Sequence, residues 1–89
     1  MKEILPIGSV VLLEGAEDFL MIIGYLPKGI DNVERDYMGV VYPIGLMDIS
    51  DVKAFNREDI REVIFEGDKD NILFEHFKKK MIKDNLFTK

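Results

Sequence analysis

Three short runs of apolar residues, separated by polar turn residues, dominate the first half of the chain. They predict β-strands over residues 10–13, 19–25 and 35–42, because each is rich in β-branched or aromatic residues and ends near glycine, proline or acidic residues. The run at 19–25 is almost unbroken in its apolar character. This predicts a strand that is buried on both faces or close to it.

Glycines inside the predicted strands indicate places where the sheet bends. Gly24 and Gly39 are each flanked by apolar residues, and glycine within a strand favours a bulge or a sharp bend that curls a small sheet toward a barrel. Residues 46–54 alternate only weakly, which leaves a loop and an irregular edge strand as open alternatives. Residues 61–67 predict the last strand.

One helix is predicted after the sheet. Asp68 is placed to cap it, and apolar residues at helical spacing extend it from Lys69 to Phe87. An apolar stripe on one face would dock the helix on the sheet. The stripe consists of Leu73, Phe74, Phe77 and Met81.

These elements predict an α+β fold. We expect a small antiparallel β-meander or partial barrel of four to five strands, with a C-terminal α-helix packed on it. A single domain is expected over residues 1–89, with the sheet region at 5–67 and the helix at 68–87.

Composition and charge narrow the function classes. The chain has 47% hydrophobic and 33% charged residues, as expected for a soluble globular domain, and no cysteine, which excludes disulfides and thiolate chemistry. No signal-peptide pattern or membrane-length apolar run is present, so a cytoplasmic location is expected. The net charge of −5 combines an acidic body with a lysine-rich end. We therefore expect neither nucleic acid nor a membrane as the partner.

No residue pattern typical of catalysis or cofactor binding stands out. His76 is the only histidine, and no spacing brings Ser9 or Ser50 to it. No phosphate-binding glycine loop is present, and the neighbouring acidic residues are typical of solvated turns. We therefore expect no enzyme activity, cofactor or metal, and a function that depends on binding.

Six residues are candidates for contact with a protein partner. Tyrosine is enriched in interfaces, although a tyrosine at a strand end is also an ordinary part of a core edge. Apolar residues in the irregular stretch either fold over the core or meet a partner. The candidates are Tyr25, Tyr37, Tyr42, Met47, Ile49 and Phe87.

Several segments in this order resemble a bacterial family, the domain-of-unknown-function family 4176. The resemblance covers roughly residues 5–67. It depends on Leu5-Pro6-Ile7-Gly8-Ser9-Val10-Val11-Leu12-Leu13, Met21-Ile22-Ile23-Gly24, Asp36-Tyr37 with Tyr42-Pro43-Ile44-Gly45, Phe55-Asn56-Arg57-Glu58-Asp59-Ile60 and Glu62-Val63-Ile64-Phe65-Glu66-Gly67. Ile44 departs from the pattern, where an acidic residue is more usual. No catalytic residues are carried over from this family.

The family is similar to small proteins encoded beside type VII secretion genes and LXG-type toxins in Gram-positive bacteria. The resemblance implies a cytosolic chaperone or adaptor that binds such a toxin as a protein partner. The alternative is a small-ligand-binding or enzymatic domain with a pocket at the curled sheet, lined by Tyr37 and Tyr42. A weaker alternative is nucleic-acid contact through the lysines at the helix end.

Overall fold

Five antiparallel strands form one sheet, and a helix packs against its inner face. The structure, a computed structural model, describes residues 4–27 and 32–83. The strands are β1 (Val10–Leu13), β2 (Phe19–Tyr25), β3 (Tyr37–Tyr42), β4 (Lys53–Phe55) and β5 (Ile60–Phe65), and the helix is α1 (Ile72–Lys83). None of the helices within the described ranges is long and apolar enough to cross a membrane.

The strand order explains the curl of the sheet. The order is β4-β3-β2-β1-β5, so that β1 to β4 form a meander and β5 returns to pair with β1. In a flat sheet the two outer strands would lie about 19 Å apart, given a spacing of about 4.8 Å between neighbours. Residues 56–59 alone connect β4 to β5, and they include a 3-10 turn at Arg57–Asp59 that rises only about 2 Å per residue. The sheet must therefore curl to bring its edges together.

This architecture confirms the predicted fold class. The protein is α+β, with an antiparallel sheet of five strands followed by a C-terminal helix. The sheet is open rather than closed into a barrel, and β5 departs from a simple meander. The position of β5 depends on pairing with a strand about fifty residues earlier in the chain, which strand-by-strand patterning does not show.

The two strand glycines lie where the backbone is irregular or crowded. Ile22 pairs with Gly39 and Gly24 pairs with Met38, so one extra residue bulges out of β2 between these pairs. A Cβ atom on Gly39 would lie 2.8 Å from the carbonyl oxygen of Met21. The predicted bend at Gly24 is thus confirmed as a bulge, and Gly39 permits a close approach of strands.

The irregular stretch contains parts of both predicted alternatives. A 3-10 turn at Ile49–Asp51 follows an exposed loop, and the short edge strand β4 comes directly after it. Because β4 has only three residues, its sequence is too short to show the alternation of apolar and polar residues that identifies a strand.

The helix begins at Ile72, three residues later than predicted. The side-chain oxygen of Asn71 accepts hydrogen bonds from the backbone N–H of Leu73 (2.8 Å) and of Phe74 (3.3 Å). Asn71 is therefore the N-cap, and the prediction of Asp68 was wrong. The predicted end of the helix at Phe87 lies outside the described residues.

The core lies between the inner face of the sheet and α1. Phe74 and Phe77 pack against it, and Met81 is buried. Leu73 is 73% exposed, so its predicted place in the docking stripe was wrong. The other three stripe residues do face the sheet. The buried core cluster consists of Ile4, Leu5, Val11, Leu20, Ile22, Tyr37, Phe55 and Met81.

Candidate functional site

Two of the three candidate tyrosines hold the segment before β1. Tyr37 is fully buried, and its hydroxyl oxygen accepts a hydrogen bond of 3.0 Å from the backbone N–H of Leu5. The Tyr25 hydroxyl donates a bond of 2.6 Å to the backbone carbonyl of the same leucine. Both phenols therefore satisfy backbone groups of the core edge, which is the structural role that the sequence left open for them.

Burial of these phenols also changes their acidity. Desolvation raises the pKa of Tyr37, because an ionised phenolate would lose its hydration inside the core. Desolvation likewise raises the pKa of Tyr25, and the neighbouring Tyr37 adds to the effect. Both groups stay neutral at physiological pH, which suits hydrogen bonding to the backbone.

Tyr42 lies on the opposite face of β3 from Tyr37. The two residues are five positions apart, and side chains of a strand alternate between its faces. A cavity of about 330 Å³ involves Tyr37 together with Arg57 and Arg61, whereas Tyr42 lines a different cavity. Among the described residues, the two tyrosines therefore line separate cavities and not the shared pocket that the sequence suggested.

The outer face of the sheet, away from α1, carries two cross-strand rows of mostly apolar side chains. Antiparallel sheets with one buried face usually present polar residues on the other. Here seven of the eight row residues are apolar; Val10 and Val40 are buried, whereas Phe19, Tyr42 and Phe65 are exposed. Strand pairing places Glu62, Leu12, Phe19 and Tyr42 in the first row, and Phe65, Val10, Met21 and Val40 in the second.

A groove runs over these rows. It has a volume of about 430 Å³. Val10 is buried at its base, while Phe19, Tyr42 and Phe65 are 38%, 47% and 60% exposed. We call it the outer groove, and its lining consists of Gly8, Val10, Phe19, Met21, Tyr42, Ile64 and Phe65.

An exposed apolar loop continues from the groove. Tyr42 lines the groove and also begins this loop, residues 42–49, which we call the apolar loop. Met47 and Ile49 are 81% and 84% exposed. The alternative in which they fold over the core therefore does not describe the structure. The exposed apolar side chains of the loop are Tyr42, Ile44, Leu46, Met47 and Ile49.

Backbone hydrogen bonds hold the second half of the apolar loop in one shape. The Asp51 carboxylate accepts bonds from the backbone N–H of Met47 (3.1 Å) and of Asp48 (2.9 Å). The Asp48 carboxylate in turn accepts from the Ser50 hydroxyl (2.5 Å) and backbone N–H (3.0 Å), which lowers the pKa of Asp48. The loop thus presents apolar side chains on an ordered backbone.

The structure exposes three of the predicted candidates and adds others. Tyr42, Met47 and Ile49 belong to the outer groove and the apolar loop, and Phe87 lies outside the described residues. Sequence reasoning missed Phe19 and Phe65, because an aromatic residue in a strand indicates core unless the register is known. For Phe19 the one available signal was the unbroken apolar run at 19–25. This run predicted burial on both faces of the strand, and therefore apolar side chains on the outer face as well.

Ser9 and His76, which the sequence offered as candidates for catalytic chemistry, lie in surroundings typical of structural and surface residues. The Ser9 side chain is buried, and its hydroxyl oxygen accepts a hydrogen bond of 3.0 Å from the backbone N–H of Gly67. His76 is exposed on α1. Within residues 4–27 and 32–83, histidine, aspartate and glutamate side chains form no group of three that could hold a metal ion.

Comparisons with known proteins identify the family. The family model for the domain of unknown function DUF4176 matches residues 4–75, which is most of the chain. Comparison with curated proteins and with solved structures gives no significant match.

Proposed function

Because the chain belongs to the DUF4176 family, we propose that it is a non-enzymatic protein-interaction module, a cytosolic chaperone or adaptor for a toxin exported by type VII secretion. The link to secretion comes from the resemblance of the family to small proteins encoded beside LXG-type toxins. The observation that carries the interaction role is the exposed apolar outer groove, together with the exposed apolar loop that follows it in the chain from Tyr42.

The composition of this surface supports a protein partner. Contiguous exposed apolar patches are uncommon on monomers and mark interaction sites. Aromatic residues and methionine are enriched in interfaces, and both occur here, with Phe19, Tyr42, Phe65 and Met47 exposed. Such side chains supply large buried area around which a partner can dock.

The order of the surface also suits this role. A partner that meets a preformed site loses less binding energy to ordering of the site. The outer groove lies on paired strands, and hydrogen bonds to Asp51 and Asp48 hold the apolar loop. A rigid apolar site of this kind can cover an apolar segment of a toxin before export.

Co-expression with an LXG-type toxin encoded in the same genome tests the proposal. A tagged copy of the chain is purified, and the co-eluting toxin is quantified. We expect the toxin to co-elute with the wild-type chain and to be lost with the Met47→Asp/Ile49→Asp double variant. This variant places two charges where a partner would bury apolar side chains.

Ile72→Asp provides the matched control. Ile72 is 68% exposed, in the first turn of α1 and outside the apolar surface, where an acidic residue is compatible with the helix dipole. This control should still recover the toxin. Absence of the toxin from the wild-type eluate would contradict the chaperone role, and recovery by the double variant would contradict the assignment of the apolar loop.

One observation favours the alternative of a small-ligand-binding domain. The volume of the outer groove, about 430 Å³, lies within the range of about 300–1,000 Å³ that is typical of ligand sites. A thermal-shift screen with apolar metabolites tests this alternative, since a ligand at 100 times its Kd should add about 2.7 kcal/mol of stability. A library without any stabilising compound would leave the protein partner as the only proposal.

A further inference from the structure

We infer that the partner segment received by the outer groove is cationic and amphipathic, with lysine or arginine side chains beside its apolar ones. This inference rests on the proposed function, because it assumes that the groove binds a protein. It adds the chemistry by which the groove would select one segment among many apolar ones.

The basis for the inference is the charge around the groove. Exposed acidic residues stand at three places on its border: in the β1–β2 hairpin just before Phe19, at the end of the first cross-strand row, and directly after Phe65. These residues are Glu17, Asp18, Glu62 and Glu66. An apolar floor with a border of one charge sign favours a partner with the complementary pattern.

Basic side chains offset only part of this border. The Lys69 amino group lies 3.3 Å from the Glu66 carboxylate and balances that charge. Arg61 is next to Glu62 on β5, and both residues line the cavity beside Tyr37. The hairpin residues Glu17 and Asp18 have no lysine or arginine within nine positions along the chain on either side. The hairpin side of the border carries two adjacent exposed carboxylates, those of Glu17 and Asp18.

The acidic border also disfavours two other occupants of the outer groove, a second copy of this chain and a nucleic acid. If two copies of this chain stacked through the outer groove, the acidic borders would face each other, and each copy carries a net charge of −5. A nucleic acid would bring phosphates to the same border and would be repelled. An oppositely charged protein segment meets neither difficulty.

Three synthetic peptides test the inference with the purified full chain. They share one length and one spacing of leucines, and their polar positions are all lysine, all glutamine or all glutamate. Isothermal titration should show the tightest binding for the lysine peptide and the weakest for the glutamate peptide. Added salt should weaken the binding of the lysine peptide most, because salt screens exposed charges.

Two single-charge variants locate the effect. Asp18→Asn should weaken binding of the lysine peptide about twofold to fivefold, the range expected for one exposed ion pair. Glu34→Gln is the matched control, because it removes one exposed charge near the opposite end of β2 and β3 and should leave the affinity unchanged. In spectra of the wild-type chain, the amide signals of Phe19, Tyr42 and Phe65 should shift on binding.

The possible results separate the inference from the proposed function. Equal affinity for the glutamine and lysine peptides, with shifts at the groove, would overturn the cationic partner and leave an apolar interaction site. Shifts confined to α1 would overturn the groove as the site of binding. Absence of binding by all three peptides up to about 1 mM would overturn the inference, while toxin co-elution would still test the proposed function independently.

Discussion

At the scale of single residues, the segment before β1 depends on two phenol groups. Leu5 is 9% exposed, and its backbone N–H and carbonyl bond to the hydroxyls of Tyr37 and Tyr25. The rings also contact each other, with centroids 5.9 Å apart, and the Tyr25 ring lies 4.9 Å from that of Phe77 on α1. The two tyrosines therefore join the N-terminal segment, the sheet and the helix.

Replacement of Tyr37 by phenylalanine tests this role. Tyr37→Phe should lower the free energy of unfolding by about 1–3 kcal/mol, because it leaves the buried N–H of Leu5 without its partner. Urea denaturation measures the change. Tyr42→Phe, at a position that is 47% exposed, is the control and should stay within about 0.5 kcal/mol of the wild type. Equal effects of the two variants would contradict the account.

The same phenols predict how stability depends on pH. Burial raises the pKa of Tyr25 and Tyr37 in the folded state above the unfolded value of about 10. Between these values the unfolded chain binds fewer protons than the folded chain. Their contribution to stability is therefore fully present below pH 10 and is lost as the pH rises further. Denaturation at a series of alkaline pH values should show this decline, and Tyr25→Phe should reduce its slope.

At the scale of secondary-structure elements, the start of α1 is defined by the hydrogen bonds of its N-cap residue. Asp68 and Asn71 are both good N-cap residues, and local sequence does not decide between them. Phe74, Phe77 and Met81 pack against the core and Leu73 is exposed, but a helix that started earlier would keep the same angular spacing between them. The cap is identified instead by the hydrogen bonds that the Asn71 side chain accepts from the backbone N–H groups of Leu73 and Phe74.

Alanine substitution distinguishes the two caps. Asn71→Ala should lower the free energy of unfolding by about 1 kcal/mol, because it removes the acceptor for the backbone N–H groups of Leu73 and Phe74. Asp68→Ala should have a clearly smaller effect. Thermal unfolding followed by circular dichroism measures both, and a larger loss for Asp68→Ala would contradict the observed helix start.

The sequence predicted much of the fold because local patterns carry most of it. Strands over residues 10–13 and 19–25 and the bulge near Gly24 follow from apolar runs and glycine placement. The return of β5 to β1 could not be predicted in this way, since it depends on pairing between residues far apart in the chain. The position of β4 could not be predicted either, because its three residues are too few to show an alternating pattern.

At the scale of the whole molecule, the two faces of the sheet differ in what covers them. One face is covered by α1, and the other keeps the outer groove and the apolar loop exposed. Tyr42, Met47 and Ile49 could be predicted as surface residues because they follow a strand end or lie in an irregular stretch. Phe19 and Phe65 could not, because cross-strand register alone assigns them to the outer face.

The predicted burial of β2, on both faces or close to it, is confirmed for Leu20 to Tyr25, which are buried or half-buried, and was wrong for Phe19. The unbroken run at 19–25 predicted a strand covered on both sides, and within the described ranges Phe19 remains 38% exposed. A bound partner over the outer groove would complete this burial. On this account, the apolar residues of β2 are buried partly by the fold of the isolated chain and partly by the partner in the complex.

Hydrogen–deuterium exchange on the purified complex with the toxin tests this central claim most directly. Compared with the free chain, the account predicts slower exchange in residues 19–21, 42–49 and 63–65, which contribute to the outer groove and the apolar loop. Exchange in α1 should change little. Protection confined to α1, with these three segments unchanged, would contradict the assignment of the outer face as the binding surface.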